Sequence, residues 1–143
     1  MKYYTPEKEE FHVGFEFEVL MYYKNDPVWK DRTFCNTDSI QSIEMSHSKD
    51  QLRVKHLDRE DIESLGWKLK YTHSNGNVAF TKETTLRSRS VNEYTDIILN
   101  STNSWIVVSQ GDDEAGYSEW VTRFSGTIKN KSELKKLLTQ LGI

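Results

Sequence analysis

Three features of the chain predict an α+β fold: an antiparallel β-sheet of hairpins with a short middle helix and a C-terminal amphipathic helix, in one domain over residues 1–143. Apolar and polar residues alternate with period two in several short segments. Ser74-Asn75-Gly76-Asn77 separates two of them, and Asn-Gly is a strong hairpin signal. Residues 130–143 carry a capped helical pattern.

The elements follow in order. Phe11, Val13, Phe15, Phe17 and Val19 alternate with His12, Gly14, Glu16 and Glu18, which predicts a half-buried strand from Phe11. Asn25-Asp26-Pro27 is a turn signal, and Val28 to Phe34 reads as the returning strand. Residues 35–50 are rich in Ser, Asp, Asn and Gln and read as a loop with a brief strand at Ile40–Glu44. Gln51 to His56 alternates again, with Leu52 and Val54 inward. Asp58 is placed to cap a two-turn helix with Glu60 and Asp61 in its first turn, and Gly66 stops it. In Trp67 to Thr72, alternation sets Trp67, Leu69 and Tyr71 against Lys68, Lys70 and Thr72, and Val78 to Thr81 returns after the Asn-Gly. The segment 83–92 is polar and irregular. Further strands are expected at Tyr94–Leu99, Ser104–Ser109 and Tyr117–Phe124, the last two joined by the stretch from Gly111 to Gly116. Asn130 is positioned to cap the final helix, which carries Leu134, Leu137, Leu138 and Leu141 on one side and ends at Gly142.

Composition narrows the function classes. Hydrophobic residues make up 36% of the chain, and 4 Trp, 7 Tyr and 6 Phe offset that low fraction. Net charge is −3, and residues 1–50 hold 6 basic against 10 acidic side chains. A dedicated duplex-DNA binder is normally basic, because phosphate neutralisation dominates its affinity. Cys35 is the one cysteine, which excludes an internal disulfide and a cysteine-based zinc site and suits a reducing compartment. The first residues, MKYYTPEKEEF, lack the apolar core of a signal peptide, and no apolar run approaches the roughly 20 residues of a membrane helix. The expectation is a cytoplasmic protein with no membrane partner.

Three segments carry a resemblance: EEFHVGFEFE near the start, LRVKHLDREDIESLGWK at 52–68 and GTIKNKSELKKLLTQLGI at 126–143. They resemble small proteins of Bacteroidetes and their phages, a group with no assigned activity. The resemblance covers about a third of the chain. It implies a context, an accessory protein of a mobile element that acts against a bacterial defence system in the host cytoplasm. It transfers no functional residue.

Several sets of residues carry chemistry. Glu16 and Glu18 share a strand face, as acid/base carboxylates would, yet outward glutamates on a half-buried strand are ordinary. Asp112, Asp113 and Glu114 lack the alternating oxygen register of a calcium loop and read as a solvated turn or an acidic recognition loop. Lys82, Arg87 and Arg89 form the most basic patch, suited to a phosphate. Lys68 and Lys70 beside Trp67 and Tyr71 have the composition of a base-stacking sheet, although alternation puts rings and lysines on opposite faces. His12, His47, His56 and His73 lack metal-ligand spacing, and no nucleophile elbow or phosphate-cradling glycine motif is present. No metal, cofactor or catalytic residue is therefore nominated.

The leading expectation is a non-enzymatic protein that binds a protein or ribonucleoprotein of a bacterial host, such as an RNA-guided nuclease. Its partner-binding residues would be Glu16, Glu18, Asp112, Asp113 and Glu114. With Glu7, Glu9 and Glu10 these could imitate nucleic acid in a basic channel. One alternative is direct RNA or DNA binding through Lys68, Lys70, Lys82, Arg87 and Arg89. Another is an enzyme whose site is assembled from distant residues. Exposed sheet edges would permit a homodimer, which nothing in the sequence indicates.

Overall fold

The computed structural model of the protein describes residues 2–85, 92–100, 102–112 and 120–143. The fold class is α+β, with two antiparallel sheets and three α-helices among the described residues. The chain divides into two compact units, Met1–His56 with Asn130–Glu133, and Leu57–Lys129 with Leu134–Ile143.

The first unit holds β1 (Tyr3–Tyr4), a 3-10 turn (Lys8–Glu10), β2 (Glu16–Tyr23), β3 (Asp26–Thr33), α1 (Ile40–Ser46), a second 3-10 turn (Lys49–Gln51) and β4 (Leu52–Lys55). Its sheet runs β1-β4-β2-β3. Phe15, Phe17, Val19, Phe34, Leu52 and Val54 are buried together, and Phe11 packs at ring-centroid distances of 5.0 Å on Phe15 and 5.3 Å on Phe17. Large rings thus supply a core that the low aliphatic content could not.

Here three expectations change. The strand expected from Phe11 begins at Glu16, because a turn closed by Phe15 N donating to His12 O occupies the preceding residues. Gly14 takes φ +89 in that turn and Val13 is 65% exposed. The hairpin turn is Lys24-Asn25, both at positive φ (50 and 74), so Asp26 and Pro27 open β3 instead of forming the turn. This is the mirror-image turn that suits strand twist. Ile40–Glu44 is helical, not a strand: Ser39 Oγ accepts from Ser42 N, and the Ile40–Ile43 spacing places both side chains against the Phe-rich core.

The second unit holds α2 (Arg59–Ser64), β5 (Lys68–Thr72), β6 (Val78–Thr85), β7 (Asn92–Asn100), β8 (Trp105–Asp112) and β9 (Val121–Thr127). It also takes most of α3 (Lys131–Leu141). The five strands pair in sequence order. Phe80, Ile97, Val108 and Phe124 form one cross-strand row, and Leu99 pairs with Ile106 in the next. Ile62 of α2 and Leu134 and Leu138 of α3 bury against this face. Asp58 and Asn130 cap their helices as expected, accepting from Asp61 N at 3.1 Å and Glu133 N at 2.9 Å. Gly66, at φ +85, follows α2.

One expectation fails on β5. Trp67 is buried, but Leu69 and Tyr71 are 40% and 43% exposed. β5 is an edge strand with a bulge, since Leu69 pairs with Phe80 and Tyr71 with Ala79, leaving Lys70 as the extra residue. A bulge flips the alternation.

Candidate functional site

Among the described residues, the acids nominated from the sequence fall in both units. Glu16 opens β2, and its backbone N donates to Ser132 Oγ at 3.0 Å. Glu18 is consumed internally: Arg53 Nε and Nη2 donate to its two carboxylate oxygens at 2.7 and 3.1 Å. A paired carboxylate offers little charge to a partner. Glu10 accepts from Tyr4 Oη at 2.5 Å and from Glu7 N at 3.1 Å. Asp112 ends β8, in the other unit, while Asp113 and Glu114 lie outside the described residues.

The basic set divides as well. Lys68 registers with Thr81, so it lies on the face of the five-stranded sheet opposite Phe80. Lys70 donates to Asp96 Oδ2 at 2.6 Å and its ammonium sits 5.0 Å from the Trp120 ring centroid. Lys82 follows the parity of Phe80 and lies 5.8 Å from the Trp67 ring centroid, on the helix-covered face. Arg87 and Arg89 lie outside the described residues. Alternation had set Tyr71 apart from the lysines. The bulge instead gives it the parity of Ala79, on the same face as Lys68.

What stands out is the far half of the β2–β3 hairpin. β4 pairs with β2 only at Glu18 and Val19. Among the described residues, β2 beyond Val19 pairs with β3 alone through Tyr23↔Asp26, so Leu20–Trp29 forms a two-stranded arm about 13 Å long. Met21, Tyr22, Tyr23 and Val28 are 36%, 64%, 67% and 42% exposed. Met21 pairs with Val28 on one face, while Leu20 with Trp29 and Tyr22 with Pro27 occupy the other.

The base of the arm is held rigid. The Arg53 guanidinium lies 3.9 Å from the Tyr3 ring centroid and 4.0 Å from that of Trp29, while its nitrogens hold Glu18. One cation thus ties β1, β4, β2 and β3 and fixes the Trp29 ring. The free edge of β3 is guarded. A two-residue turn makes Tyr23↔Asp26 a hydrogen-bonded pair, so Tyr22↔Pro27 is a non-bonded one. Pro27 therefore costs no ladder bond to β2 and removes a donor from the outer edge, beside exposed Lys30, Asp31 and Arg32. The arm presents its two faces, not its edge.

A sequence signal for the arm existed. From Leu20 to Tyr23 the alternation stops and every residue is apolar or aromatic. Such a run usually marks a strand buried on both faces. Here it marks one exposed on both.

Two hollows flank α1, of about 280 and about 310 Å³, and share Ile43 and His47. Cys35 lines the larger one, with its Sγ donating to Thr33 O at 3.4 Å. Across the smaller, Lys8 Nζ meets Glu44 Oε1 at 2.5 Å. That hydrogen bond and the Glu44 charge raise the Lys8 pKa above its ordinary value. No group of three or more metal-ligating side chains converges among the described residues.

Among the described residues, no helix is long and apolar enough to cross a membrane. No family model, curated protein or solved structure matches the chain.

Proposed function

We propose that this chain is a non-enzymatic accessory protein of a phage or mobile element that docks on a host protein through the β2–β3 arm. The observation that carries this is the arm itself: two faces of exposed Met, Tyr and Val on a rigid base. Aromatic anchors of this kind dominate protein interfaces, and a preorganised anchor binds at lower entropic cost. The ring-flanked Arg53 and the guarded edge support docking by side chains over strand addition. The expected resemblance of three segments to small proteins of Bacteroidetes and their phages makes a bacterial defence complex, such as an RNA-guided nuclease, the first partner to test, and the cytoplasm of the host the place. Acidic mimicry loses support because Glu18 and Glu10 are engaged inside the molecule. Direct nucleic-acid binding loses support because Lys70 is paired with Asp96 and Lys82 lies on the opposite face from Lys68.

The test is site-specific photo-crosslinking of the full chain in a Bacteroidetes host. A benzophenone amino acid replaces Tyr22 in one variant and exposed Glu60 of α2 in another. The reading requires one dominant protein adduct from position 22, absent from position 60. It also requires Tyr23→Ala to weaken that partner at least tenfold, as truncation of an anchor residue does. Adducts that are identical at both positions, or that are chiefly nucleic acid or lipid, would overturn it.

A further inference from the structure

We propose that the partner of the β2–β3 arm is a protein with a cleft whose apolar walls close on both faces of the arm at once, and not a flat surface that meets one of them. This rests on the docking reading above and adds the shape of the receptor. Strand parity divides the arm's side chains. Met21 and Tyr23 follow Val19, so they prolong the core-side face beyond the buried cluster, and Val28 stands opposite Met21. Leu20 and Tyr22 follow Glu18, so they lie on the outer face, with Trp29 and Pro27 opposite them. Met21, Tyr23 and Val28 are exposed on the first face, and Tyr22 and Pro27 on the second.

The dimensions favour enclosure. Four residues at about 3.3 Å each and two strands about 4.8 Å apart make each face roughly 13 by 10 Å. A standard interface takes about 800 Å² from each partner, more than one such face can supply. A flat partner on the core-side face would leave Tyr22 in water, and one on the outer face would leave Met21, Tyr23 and Val28 there. A cleft covers both faces and the Lys24-Asn25 turn, so every exposed ring and aliphatic side chain of the arm contributes. Packed layers stand about 10 Å apart, so the backbones of the two walls lie roughly 20 Å apart. The base suits insertion: Arg53 fixes the Trp29 ring where the arm leaves the sheet, which lowers the ordering cost of binding. Pro27, which removes a donor from the β3 edge, leaves the side chains of the two faces as the contact.

The experiment uses the full chain in a Bacteroidetes host, with the benzophenone amino acid at Tyr22 in one variant and at Val28 in another, one on each face. Both positions should give adducts with the same protein, mapped by mass spectrometry to two separate segments of it, one for each wall. Each crosslink is then combined with a charge on the opposite face. Val28→Glu should lower the yield of the position-22 adduct at least tenfold, and Tyr22→Glu should do the same to the position-28 adduct, with circular dichroism spectra unchanged. If either glutamate variant does not fold, Val28→Ser or Tyr22→Ser takes its place, with a smaller loss in the same direction. A protein adduct from one position only, or an adduct indifferent to the substitution on the opposite face, overturns the cleft and leaves docking through one face standing. No protein adduct from either position overturns the docking reading itself, and the cleft with it.

Discussion

Tyr4 shows at the scale of one side chain how the fold changes chemistry. Its hydroxyl donates to Glu10 Oε2 at 2.5 Å and accepts from Asn130 Nδ2 at 2.8 Å. Burial, and then the hydrogen bond to the Glu10 carboxylate, push the phenol pKa far above the ordinary tyrosine range. An unfolded tyrosine ionises near 10. The folded state therefore holds a proton that the unfolded chain releases in alkali. Its contribution is fully present below about pH 10 and is lost as pH rises above that value. Urea unfolding followed between about pH 8 and 11 should show stability falling, and Tyr4→Phe should flatten part of that fall. At neutral pH the same substitution should cost about 1–2 kcal/mol, because it leaves Asn130 and Glu10 short of a partner. A pH profile unchanged by Tyr4→Phe would rule this role out. None of this triad was legible in the sequence. Tyr4 and Asn130 are 126 residues apart, and no periodicity relates a two-residue strand to a helix cap.

At the scale of elements, local signals carried far. Asp58 with Asp61, Asn130 with Glu133, and the turn at Asn75-Gly76 all act where residue chemistry placed them. The misreadings share one cause, which is that periodicity does not say what lies beside a strand. Leu69 keeps the parity of Phe80 but is left exposed at the sheet edge, while the bulge turns Tyr71 to the other face. Ile40 and Ile43 read as strand residues until the Ser39 cap, three positions before Ser42, made them one face of a helix. The arm belongs to this scale too. A two-stranded hairpin is marginal alone in water, so its turn matters. Lys24 and Asn25 both stand at positive φ, which asparagine and glycine adopt at lower cost than lysine. The double substitution Lys24→Asn with Asn25→Gly puts the preferred Asn-Gly pair in this turn. It should raise stability by about 1 kcal/mol and shift the urea midpoint upward without altering the slope. Asn25→Val should cost about 1–2 kcal/mol. If both variants matched the parent, the turn would not govern the arm.

At the scale of the whole chain, the sequence predicted strands and helices but not their division between two cores. Alternation marks which side of a strand is apolar. It does not say whether Leu52 pairs with Val19 or whether β5 continues the sheet of β4, because pairing is settled by packing. The two cores differ in kind: phenylalanines dominate the first, while aliphatic rows with Phe80 and Trp67 fill the second. Leu134 makes the second measurable. It is fully buried on α3, among Ile62, Phe80, Ile97 and Ile106. Leu134→Ala removes its apolar surface and leaves a cavity that a row of branched side chains cannot collapse to fill. The expected loss is about 3 kcal/mol, within the 2–5 of such truncations. Urea unfolding should report the loss, and native-state hydrogen exchange should locate it as faster exchange of amides in β6, β7 and β8. Leu134→Met, which roughly conserves volume, should cost less than about 1.5 kcal/mol. A small loss for alanine, or equal losses for alanine and methionine, would mean that Leu134 does not fill the core against these strands, and that α3 owes its place to the Asn130 cap and the first turn instead.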